Sequence, residues 1–127
     1  MSKAVAEILR KKAQGDFQAA VVLAKAKPAM DDETIGLHLQ QAVEKAAKAL
    51  LTWKKLEYPF THDLDTLLRM LSARDCPVPG RFSDLDTLTP FATQARYERA
   101  VPPGSLDRAA FIELVRGFLV WTDTLRR

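Results

Sequence analysis

The chain is poor in the residues that carry most site chemistry. It holds one cysteine, Cys76, and two histidines, His38 and His62. One cysteine cannot close an internal disulfide, and no cysteine-rich metal spacing can be written. We therefore expect no metal site and no cofactor, and Cys76 reads as a loop or half-buried thiol. No apolar run approaches the length of about 20 residues that crosses a bilayer. The opening stretch MSKAVAEILRKKAQGDF lacks the long apolar segment of a secretory leader. These absences predict a cytoplasmic protein with no membrane partner. Sustained period-two alternation is missing as well, so no strand is expected. There is no internal repeat and no low-complexity tract.

What is present suits one helical domain over residues 1–127. The formal net charge is +3, from 19 Lys and Arg against 16 Asp and Glu. That balance is compatible with an anionic ligand or RNA and falls short of a polybasic tail.

Three-and-four spacing of apolar residues marks the elements. The first helix runs from Ser2, its N-cap, to about Lys27, with Val5, Ile8, Leu9, Ala13, Phe17, Ala20, Val21 and Ala24 as its stripe. Gly15 suggests a bend or a close neighbour, and Pro28 ends the helix. Asp31 or Asp32 caps a second helix reaching about Leu56, with Leu39, Ala42, Val43, Ala46 and Leu50 inward. Thr61 is the expected N-cap of a third, about His62 to Arg74. DCPVPGRFSD reads as a loop. Residues 84–100 read as one short helix or two, with Thr89 before Pro90 as an N-cap and Leu85, Leu88, Phe91, Ala92 and Ala95 inward. Ser105 caps a last helix that runs to the end, with Leu106, Ala110, Phe111, Leu114, Val115, Phe118, Leu119 and Trp121 or Thr122 inward. Short links between long amphipathic helices predict an all-α, up-and-down antiparallel four-helix bundle with an extra short helix before the last one.

HLQQAVEKAAKALL, then YPFTHDLDTLLRML, then LTPFATQARYE resemble, in this order and spacing, the HEPN domain family. Gln40, Gln41, Glu44, Lys45 and Lys48 match its second-helix pattern. Thr61, His62, Asp63 and Leu64 match its THDL turn, and Ala95, Arg96 and Tyr97 its ARY segment. The resemblance spans roughly residues 5 to 122. It implies a prokaryotic all-α bundle that dimerises and is often encoded beside a minimal nucleotidyltransferase. Such domains look like the substrate-binding domain of kanamycin nucleotidyltransferase. Some members are toxins with RNase activity, as in toxin–antitoxin pairs, and others are thought to bind nucleotides. The ribonuclease members carry an Arg followed a few residues later by a His near the last helix. No histidine follows Arg96 here, so the chain resembles the branch without that motif.

These considerations single out Gln41, Glu44, Lys45, Lys48, His62, Asp63, Arg96 and Tyr97 as ligand-binding candidates, with no catalytic residue assigned. The second-helix set is either a solvated face with Glu44 and Lys48 paired at i,i+4, or the border of a cleft where Lys45 and Lys48 hold phosphate. His62 with Asp63 either closes the local turn or meets an anion at a helix N-terminus. Arg96 either pairs with an acid or grips a phosphate. The function expected is a non-catalytic homodimeric module that binds a nucleotide or serves a nucleotidyltransferase. The alternatives are an RNase using His62 with Arg96, and a purely structural dimer.

Overall fold

The computed structural model describes residues 2–28, 30–97 and 104–126, with the side chains of all of these except 94–97. Among the described residues there are five α-helices, one 3-10 helix and no strand. α1 is Lys3–Lys25, α2 Asp32–Trp53, α3 Leu64–Ala73, α4 Thr89–Tyr97 and α5 Arg108–Thr124. The 3-10 helix is Gly80–Leu88.

The first two helices start where their caps predict. The Ser2 hydroxyl accepts from the Val5 amide at 3.3 Å, and the Asp31 carboxylate from the Thr34 amide at 2.8 Å. α2 is the central element and packs against every other one. Its predicted stripe of Leu39, Ala42, Val43, Ala46 and Leu50 is wholly buried. α1 lies antiparallel to it, with the Lys3 ammonium 4.3 Å above the Trp53 ring at one end and the Met30 amide bonded to the Leu23 carbonyl at the other. α5 runs antiparallel to α1 and parallel to α2. Arg10 and Glu7 of α1 face Asp123 and Arg126, while Asp32 at the start of α2 binds Arg108 at the start of α5.

Several expectations are corrected. α3 starts at Leu64 with Asp63 in the N-cap position, not at His62 with Thr61 as cap. Thr89 caps no helix of its own; its hydroxyl reaches across to accept the Leu64 amide at 3.1 Å. Asp107, not Ser105, caps α5, accepting the Ala110 amide at 3.2 Å. The second half of DCPVPGRFSD enters the 3-10 helix. There Phe82, Leu85 and Leu88 fall three apart and are all buried, because three residues per turn puts them on one face. On α1 the buried line is Ala6, Ala13, Phe17 and Ala20, leaving Val5 and Ile8 exposed. Gly15 has no close neighbour. Ala110 is exposed and Cys76 is fully buried.

Candidate functional site

The polar side of α2 is not a wet face. Gln40 and Glu44, one turn apart, are both buried beneath the segment that leaves α2. That segment turns sharply at Lys55, which adopts φ 61°. The Leu56 amide bonds back to the Leu51 carbonyl and the Lys55 amide to the Thr52 carbonyl, closing α2 as a Schellman motif. The chain then doubles back along α2, so that Tyr58 meets Thr52 near its end, Phe60 flanks Lys48 and His62 reaches Glu44 at mid-helix.

Glu44 is the hub. Its Oε1 accepts from Gln40 Nε2 at 3.1 Å and from His62 Nδ1 at 2.8 Å, and its Oε2 from Lys48 Nζ at 3.0 Å. Gln40 Nε2 also donates to the His62 carbonyl at 2.9 Å, while its Oε1 accepts from Gln41 at 2.6 Å. Burial pushes the Glu44 carboxyl up, but the bonds from Gln40, His62 and Lys48, with the Lys48 charge, outweigh it and hold the group below its ordinary range. A buried carboxylate with three donors stays ionised. No buried side-chain nitrogen or oxygen among the described residues lacks a partner.

The outer rim of the cluster faces solvent. The His62 side chain is 41% exposed, against 12% for Lys48 and 6% for Glu44. Since Nδ1 is held by Glu44, the imidazole is fixed in orientation, with Nε2 on the opposite edge of the ring. Lys48 Nζ sits 5.7 Å from the Tyr58 ring centre and 5.9 Å from that of Phe60. The Phe60 and His62 rings meet edge-on at 6.2 Å. The Tyr58 hydroxyl is anchored 3.3 Å from Thr52 Oγ1.

Of the candidates read from sequence, Gln41, Glu44, Lys48 and His62 therefore converge. Lys45 does not join them. It binds Asp16 of α1 at 2.5 Å, and the same carboxylate takes His38 Nδ1 at 3.1 Å. Asp16 and His38 form a second polar cluster that sequence reasoning missed, since the link crosses from one helix to another. Asp63 is exposed and turns away into its own cap, where it accepts the Thr66 hydroxyl at 2.8 Å. Arg96 and Tyr97 are in the last turn of α4, and their side chains lie outside the described residues. Among the described residues no group of three or more His, Cys, Asp or Glu is placed to hold a metal.

This bundle, organised around a helix that carries QQAVEKAAK and faces a THDL turn, matches a known pattern. The HEPN domain profile covers residues 6–125, and the chain belongs to the HEPN domain family. Membership makes it a helical module related to nucleotide and RNA chemistry. No curated protein and no solved structure matches the chain. No helix among the described residues is long and apolar enough to cross a membrane.

Proposed function

We propose that this chain is a non-catalytic HEPN-type binding module, acting as a homodimer, that binds a nucleotide or serves as the substrate-binding partner subunit of a minimal nucleotidyltransferase. One observation carries the reading. Glu44 holds His62 and Lys48 side by side, with the imidazole rim open to solvent. Lys48 keeps N–H donors beyond the one that Glu44 takes, and His62, with its Nδ1–H on Glu44, adds an Nε2–H donor in the imidazolium form, so the pair is a preorganised contact for phosphate with little side-chain freedom left to lose on binding. The absence of a histidine after Arg96 supports the non-catalytic assignment. Titration calorimetry with ATP and GTP tests it: heat of binding is expected, and a transferase is expected to co-purify. Silence with every nucleotide and no such partner overturns it. Light scattering checks the dimer.

The 2.8 Å bond between Glu44 and His62 favours one other reading. A carboxylate on Nδ1 orients an imidazole so that Nε2 can act as a general base. An RNase using His62 with Arg96 would then arrest growth on expression, and His62→Ala would relieve it. Benign expression of the unaltered protein, with no cleavage of added RNA, counts against this alternative.

A further inference from the structure

Phe60 is 98% exposed. A phenylalanine left in water forgoes nearly all the gain of burial, so a ring this open asks for a ligand or a partner. Its surroundings indicate which. The other exposed large apolar residues among those described are Val5, Ile8 and Val22 on α1, Met30 in the following link and Val120 on α5. The ring is flanked by the Lys48 ammonium, 5.9 Å from its centre, and by the His62 ring, whose centre lies 6.2 Å away. One aromatic face flanked by nitrogen donors is poor ground for an apolar protein surface. It matches a nucleotide, whose base offers a π-face and whose phosphates offer acceptors.

We infer that Phe60 is the stacking platform for the base of a nucleotide whose phosphates are met by His62 and Lys48. The inference rests on the nucleotide-binding reading of this same site. Pro59 restricts the backbone angle one residue before the ring, and the ring stands edge-on to His62 with 6.2 Å between the ring centres. Lys48 has three N–H donors and Glu44 takes one, which leaves two. The Glu44 bond takes His62 Nδ1 and leaves Nε2 for a ligand, to which it donates in the imidazolium form. Stacking tolerates any base, since every base has a π-face, so the platform gives affinity for nucleotides without choosing strongly among them.

The experiment is titration calorimetry of the wild type, Phe60→Leu and Phe60→Tyr with ATP and with tripolyphosphate, a probe that lacks a base. Phe60→Leu should weaken ATP about 5- to 150-fold, the range of one lost base–aromatic stack, and leave tripolyphosphate binding unchanged. Phe60→Tyr should restore ATP binding. The exposure of Phe60 means that both variants should fold, which a thermal melt confirms. Equal ATP affinity in Phe60→Leu and wild type overturns the platform while nucleotide binding stands. A wild type that binds no nucleotide removes the nucleotide-binding reading and the platform with it. Dissociation of a dimer or a protein partner by Phe60→Leu, with ATP affinity intact, makes Phe60 a protein contact and overturns the inference.

Discussion

Removing Glu44 strands three donors at once. Deleting one side of a buried ionic contact typically costs about 3–5 kcal/mol, because the partners keep their desolvation and lose their compensation. We expect Glu44→Ala near the lower end, about 3 kcal/mol, since His62 can reach water. That should lower the melting temperature on the order of 10 °C. The same carboxyl gives an acid dependence of known sign. Its folded pKa lies below the ordinary 4.5, so its stabilisation is fully present above that value and is lost as pH falls through the lower folded one. Glu7 and Asp31 are also held low, the first by Arg10 and the second by the Thr34 backbone, so both contribute to acid loss. The gap in urea midpoint between wild type and Glu44→Gln should isolate Glu44 by narrowing as the pH drops below 4.5. A constant gap would contradict it. The Glu44–Lys48 pair was legible from its i,i+4 spacing and His62 from the THDL turn, but Gln40, which bridges Glu44 and the His62 carbonyl, was not among the candidates. Nor was Asp16, because a residue on α1 reveals nothing in its own spacing about which residue of α2 it will meet.

At the scale of elements, the helices that could be read were those whose signal is local. Periodicity located α1, α2 and α5, and Ser2 and Asp31 marked two of the starts. α3 was misplaced at its start because its first amide is satisfied from 25 residues away, by the Thr89 hydroxyl. Thr89→Val keeps the shape and removes the acceptor. Loss of a helix cap costs about 1 kcal/mol, and amide exchange should quicken at Leu64 before it does in α2. Protection unchanged at Leu64 would show that the bond is immaterial. The meeting of α2 and α4 depends on Gly36, where an added Cβ would lie 2.4 Å from the Phe91 ring. Gly36→Ala gains helix propensity of about 1 kcal/mol but forces that ring aside, and overpacking typically costs about 1–3 kcal/mol. A net destabilisation by chemical unfolding is expected. A stabilised variant would mean that Phe91 gives way freely.

For the whole molecule, Asp32 is one of the long-range ties, beside the pairs of Arg10 and Glu7 with Asp123 and Arg126. Its carboxylate binds Arg108 Nε at 2.7 Å and the Leu106 amide at 3.4 Å, joining positions 74 and 76 residues apart. The Arg108 side chain is 31% exposed, so solvent screens part of the attraction. Asp32→Ala should cost about 1–2 kcal/mol, mostly through the buried acceptor lost to Leu106. Denaturant melts would show it as a lower midpoint with the slope preserved. An unchanged midpoint would mean that α5 docks without help from Asp32, through its apolar face and the pairs of Asp123 and Arg126 with α1. That face buries Val115, Phe118 and Leu119, and the sequence foretold it. The Asp32 tie was hidden, because Asp32 reads as a helix-start acid like its neighbours.

Cys76 lies just beyond α3, with its amide bonded to the Leu71 carbonyl and its thiol enclosed in the core. Because it is the chain's one thiol, a disulfide reagent has a single target and can reach it only when this corner opens. The rate at which colour develops with such a reagent is then a clock for local opening. It needs no introduced label, and it can be read with and without a nucleotide present.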